Sequence, residues 1–179
     1  MRRLLVASLV IVAASGVSAQ VLTVGAAGGA TWEVNAEAGD GRAFLRGNDL
    51  VSAAFIGFHI DEMTLFRLQV RDLQRTATVD GAPWDTRMRA YTVGVDYFVA
   101  GVFGEAVFSG GIGAYAQDMA GEHEPTAVAT SEFGWYLGVG EWFPLSNRVA
   151  ATAEVTMDRT GHVGSPVLLT GTVGLAVRF

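Results

Sequence analysis

Hydrophobic and polar residues alternate with a period of two along most of the chain, the spacing of a strand with two unlike faces rather than of an amphipathic helix. The pattern is clearest in the last segment, where Val167, Leu169, Gly171, Val173, Leu175, Val177 and Phe179 share one phase. Leu168, Thr170, Thr172, Gly174, Ala176 and Arg178 share the other. The segment before it sets Val149, Ala151, Ala153, Val155 and Met157 against Ala150, Thr152, Glu154, Thr156 and Asp158. Phe66, Leu68 and Val70 alternate with Arg67, Gln69 and Arg71, and Tyr91, Val93, Val95 and Tyr97 with Ala90, Thr92, Gly94, Asp96 and Phe98. Phe133, Trp135, Leu137, Val139 and Phe143 oppose Glu132, Gly134, Tyr136, Gly138 and Gly140, and Glu141 breaks the apolar phase near one end. The stretches 24–32, 53–60 and 103–115 are also strand-like, with their phase left open. Eight strands are predicted, at 22–34, 50–60, 64–75, 87–99, 102–116, 132–143, 148–158 and 167–179.

The connections alternate as well. Asp61-Glu62-Met63, Ala100-Gly101 and Pro144-Leu145-Ser146-Asn147 are turn-sized, whereas residues 37–49, 76–86, 118–131 and 159–166 make longer loops rich in Gly, Asp, Glu, Pro and Asn. Short turns therefore gather at one end of an antiparallel meander and long loops at the other.

Which phase faces out decides the class. Eight strands enclose an interior that side chains just fill. Turning every Phe, Trp, Tyr, Leu and Val of the apolar phase inward would overfill it and leave a skin of glycine and alanine. Turned outward, that phase leaves Gly, Ala, Thr and a few pairable charges inside. The prediction is all-β, an eight-stranded antiparallel up-and-down transmembrane β-barrel. In it, Trp32, Tyr91, Phe133 and Trp135 form an aromatic girdle at the loop end, and Phe58, Phe66, Tyr97, Phe143 and Phe179 one at the turn end. A soluble periplasmic, lipocalin-like binding barrel is the alternative, with the same strands and the opposite facing.

Composition narrows the picture. The chain has 179 residues, half of them hydrophobic, which suits one domain. It has no cysteine, which excludes a disulfide scaffold, a thiolate metal site and a cysteine nucleophile. Its 12 basic residues, all arginine, face 18 acidic ones, so no basic face for nucleic acid can be assembled. Arg2 and Arg3, the apolar run 4–14 and the small residues Gly16-Val17-Ser18-Ala19 read as a secretion signal, with cleavage expected between Ala19 and Gln20. The predicted division is a signal peptide at 1–19 and a barrel domain at 20–179. Losing the two leader arginines takes the formal charge from −6 to −8.

Over residues 20–179 the sequence resembles the small eight-stranded bacterial outer-membrane β-barrel proteins, the OmpA/OmpX-like class. The residues that carry the resemblance are the closing strand with Val173, Leu175, Val177 and Phe179, and the segments Gly110-Gly111-Ile112-Gly113-Ala114-Tyr115 and Gly138-Val139-Gly140-Glu141-Trp142-Phe143-Pro144-Leu145-Ser146. The resemblance implies a Gram-negative outer-membrane location and a structural or surface-interaction role. It implies outer-membrane lipid, lipopolysaccharide, the barrel assembly machinery and periplasmic chaperones as partners. It also implies that Val173, Leu175, Val177 and Phe179 are the assembly signal.

The charges that fall on the lumen phase are Arg67, Arg71, Asp96, Glu105, Glu154, Asp158 and Arg178. A charge left unpaired there is costly, so partners are expected, first among them an Arg67/Asp96/Glu105 cluster drawn from sequential strands near the turn end. Such a network fills and rigidifies a closed lumen; a narrow gated ion path is the alternative. Catalysis is not expected. His162, Ser165 and Asp158 could be arranged as base and nucleophile, as in a lipid-modifying outer-membrane enzyme, but the spacing in a loop is common. Glu122-His123-Glu124 reads as a solvated acidic loop ahead of a divalent-cation site, and the scattered His59, His123 and His162 offer no metal triad. Gly25-Ala26-Ala27-Gly28-Gly29 is followed by no helix and is no phosphate loop. No cofactor is predicted.

Overall fold

The computed structural model describes residues 22–34, 45–79, 82–121, 124–161 and 167–179. The predicted leader, His123, His162 and Ser165 lie outside these residues. The strands are β1 (Leu22–Val34), β2 (Leu45–His59), β3 (Thr64–Val79), β4 (Ala82–Ala100), β5 (Glu105–Gly121), β6 (Glu124–Pro144), β7 (Val149–Thr160) and β8 (Val167–Arg178). Each pairs antiparallel with its sequence neighbours, and β1 pairs with β8, from Thr23 opposite Arg178 to Val34 opposite Val167, to close the ring. Closure satisfies the ladder hydrogen bonds of every strand without water, the condition for backbone in hydrocarbon.

Several strands outrun the sequence prediction at the loop end. β3 and β4 stay paired up to Val79 opposite Ala82, and β5 and β6 up to Gly121 opposite Glu124, with an irregularity between Met119 and Gly121. Two of the four predicted long loops are thus largely hairpin. Alternation marks a strand only where one face meets an apolar medium; a ladder that projects beyond it keeps its hydrogen bonds and loses the pattern. At the turn end the difference is reversed. Val102 and Phe103, predicted to open a strand, lie in the turn between β4 and β5, which the Gly101 amide closes by donating to the Gly104 carbonyl at 2.9 Å.

The apolar phase faces outward. Leu68, Val70, Val95, Phe108, Ile112, Leu137, Val139, Val155, Val173 and Leu175 are all exposed. In β1, whose phase the sequence left open, Val24, Ala26, Gly28 and Ala30 register with outward Val177, Leu175, Val173 and Gly171 of β8. Thr23 and Thr31 point inward and are buried. The interior differs from the predicted filling of Gly, Ala, Thr and charges, because it also carries two apolar clusters. Phe55, Leu65, Phe98, Val107, Trp142, Ala150 and Ala176 form one, and Val51, Leu73, Met88, Ala90, Tyr115 and Leu168 the other. Glycines make room for this bulk: a Cβ on Gly94 would run into the Tyr136 hydroxyl and stand 2.6 Å from the Gly110 carbonyl oxygen.

Candidate functional site in the barrel lumen

Inward positions on β3, β4, β5, β7 and β8 carry the charges, and the curvature of a small barrel brings β3 and β7 within reach across the lumen. At the turn end, Arg178 Nη2 donates to Glu105 Oε2 at 2.6 Å, and its guanidinium stands 5.7 Å from the Trp142 ring centre. Both residues keep partial access to solvent. Deeper in, Arg67 Nη1 donates to both oxygens of Glu154 at 3.1 Å, and its Nη2 lies 3.2 Å from Asp96 Oδ1. Glu154 also accepts from the Trp142 indole at 3.2 Å, and Arg67 lies over the Phe55 ring. In the next layer toward the loops, Asp158 takes both nitrogens of Arg71, Nη1 at 2.8 Å and Nη2 in a very close contact. The Tyr115 hydroxyl donates to the same carboxylate at 2.7 Å, while Arg71 donates to Thr156 at 3.2 Å and lies over Tyr136.

The predicted Arg67/Asp96/Glu105 cluster is therefore corrected in its third member. Glu105 sits at the mouth with Arg178, and Glu154 from across the barrel completes the set around Arg67. The reasoning from sequential strands failed because side chains of an eight-stranded barrel meet across its diameter as readily as along its wall. Tyr115, Trp142 and Tyr136 were not foreseen in the network. Their signal was present, since Tyr136 shares the phase of Gly134 and Gly138, but an aromatic on the small-residue phase reads as an exception until the layers are seen.

The arrangement is a plug. Arg67, Arg71, Asp96 and Asp158 have side chains at 0–2% exposure, and apolar clusters lie in the same lumen. For Arg71 and Asp158, bidentate guanidinium–carboxylate geometry with the Tyr115 hydroxyl as a further donor is what lets the ions stay charged away from water. Asp158 is fully occupied by Arg71 and Tyr115, so it is not available to serve a base in the loop that follows β7.

Outside, the aromatics predicted as girdles lie at the two ends of the wall. Phe133 and Tyr91 are exposed at the loop end beside partly exposed Trp32 and Trp135; Tyr97 and Phe179 are exposed at the turn end beside partly exposed Phe58, Phe66 and Phe143. Phe108, exposed next to Tyr97 in register, joins the lower group and was not foreseen. Glu141 remains the outward carboxylate of β6.

A closed up-and-down barrel with an apolar exterior and a core of paired charges is a transmembrane β-barrel of the small outer-membrane type. A scan against protein-family models finds no match, and a search of curated proteins finds none either. Solved structures do match in fold. Neisserial surface protein A aligns with a TM-score of 0.69 at 10% identity, covering 90% of this chain and 98% of its own. Ail, the attachment invasion locus protein of Yersinia pestis, solved with the heparin analogue sucrose octasulfate, aligns with a TM-score of 0.61 at 10% identity over 90% and 100%. A major outer membrane protein of Thermus thermophilus gives 0.60 at 13% identity over 90% and 100%. The chain has the eight-stranded outer-membrane barrel fold that these proteins share.

Proposed function

We propose that the protein is a non-catalytic, integral outer-membrane β-barrel whose closed lumen serves rigidity and whose loop end serves surface interaction. The observation that carries this reading is the reversed polarity of the wall: Val173 and Leu175 are 68% and 53% exposed on a strand whose inward Ala176 is 0% exposed. A soluble barrel has no use for that belt, and a bilayer requires it. The charged plug leaves no ready aqueous path and offers rigidity in place of conduction. The hairpins of β3–β4 and β5–β6, which outrun the apolar belt, are the surface presented for interaction. Lipid and lipopolysaccharide surround the belt. Export removes residues 1–19, after which periplasmic chaperones hold the chain and the assembly machinery reads Val173, Leu175, Val177 and Phe179 on the outward face of β8.

Fractionation with planar-bilayer recording tests this. The protein is expected to require detergent for extraction, to shift its gel mobility on boiling, and to give no steady openings. Release by salt or alkali alone would refute the membrane barrel, and steady large conductance would refute the closed lumen.

A further inference from the structure

The carboxylate of Glu141 lies on the lipid-facing phase of β6, where a charge has no evident use. Its neighbours in register are Ala106 on β5 and Ala153 on β7, so no bulk stops its side chain from lying along the outer wall. It reaches the turn between β4 and β5. Glu141 Oε1 accepts the Phe103 amide at 2.6 Å and lies 2.9 Å from where a Cβ on Gly101 would stand. The backbone of the turn is thus tied to a side chain on the outer face of the wall. Its tip carries Val102 and Phe103, which are 84% and 77% exposed. These are among the most exposed large apolar side chains of the described residues, and the two strands that the turn joins carry exposed Tyr97 and Phe108 opposite each other in register.

We propose that the Gly101–Gly104 turn is a membrane anchor, with Val102 and Phe103 inserted among the lipids of the periplasmic leaflet and Glu141 as the clamp that directs them there. The inference rests on the membrane reading of the barrel. Its chemistry is consistent: the clamp satisfies an otherwise solvated carboxylate with a backbone donor, and immersion removes two large apolar side chains from water. A periplasmic protein partner would instead be served by a turn pointing straight down from the wall.

The absence of cysteine makes single nitroxide labels clean. Phe103→Cys, Val95→Cys on the belt and Glu62→Cys in the turn between β2 and β3 would each be labelled in the full-length mature chain, folded into phosphatidylethanolamine/phosphatidylglycerol vesicles. The ratio of oxygen to nickel-chelate accessibility is then measured. Position 103 is expected to match position 95 and to exceed position 62 several-fold. Adding Glu141→Ala should move position 103 toward the value at 62, while Glu141→Gln, which keeps an acceptor oxygen, should not. A lipid-like value at 95 with a water-like value at 103 overturns the anchor alone. A water-like value at 95 overturns the membrane barrel itself. An unchanged value at 103 in the alanine variant removes Glu141 from the role.

Discussion

Replacing Asp158 by asparagine should be among the most damaging conservative substitutions in the protein. The carboxylate accepts from both terminal nitrogens of Arg71, Nη1 and Nη2, and from the Tyr115 hydroxyl, with the Asp158 side chain at 0% exposure and that of Arg71 at 2%. An amide of the same shape cannot accept this set, and it leaves a guanidinium uncompensated in a closed lumen. Breaking a buried pair from one side costs about 3–5 kcal/mol, and at about 1.4 kcal/mol per decade the folding equilibrium should fall by roughly two to three and a half orders of magnitude. Removing both partners is a different perturbation. Arg71→Met with Asp158→Leu replaces the pair by apolar groups of similar reach; it leaves the buried Tyr115 hydroxyl without the carboxylate it donates to, and should still cost clearly less than the single asparagine variant. Urea titration of the protein in vesicles, followed by heat-modifiable gel mobility, compares the parent, the asparagine variant and the double variant. A single asparagine variant within about 1 kcal/mol of the parent, or a double variant as damaged as the single, would refute the claim that this layer is a tightly coupled buried pair.

Val93→Arg, placed between the two girdles, should destabilise the barrel by about 2–4 kcal/mol in the same titration, as expected for a lipid-facing site near the midplane; a neutral result would argue for a watered exterior. Gly94→Ala should cost about 1–3 kcal/mol through overpacking, because its Cβ meets the backbone carbonyl of Gly110 as well as Tyr136. Pairing it with Tyr136→Phe should recover only part of that loss, and full recovery would show that the backbone contact does not matter. Asp61, in the turn between β2 and β3, is held below its ordinary value of 3.8, first by the Met63 amide and then by the Thr64 side chain. Its contribution to the turn is thus present above 3.8 and lost as pH falls through the lower folded value. The Met63 amide resonance should titrate with a midpoint under 3.8, and a midpoint at or above it refutes the bond.

Period-two alternation was enough to place β7 and β8 within a residue or two, because each has one face in an apolar medium and one in the lumen. The upper parts of β3, β4, β5 and β6 were hidden in polar sequence, since nothing there sets one face apart from the other while the ladder continues. In the site, the phase revealed which charges point inward but not which meet. That Arg67 finds Glu154, 87 residues away, depends on how the closed sheet is sheared, and no local pattern records the shear. The apolar clusters around Trp142 and Leu168 escaped for a related reason, because their volume is matched by glycines on other strands.

The seam between β1 and β8 joins residues far apart in the chain: the hydroxyls of Thr31 and Thr170, separated by 139 in sequence, meet at 2.9 Å. A contact of that separation is entropically the most expensive to form, and until it does the sheet presents two unpaired edges to anything extended nearby. Folding into the bilayer must then be a concerted event in which the ring seals as it inserts. The unfolded chain has to be kept from self-association for the whole interval before its first and last strands meet.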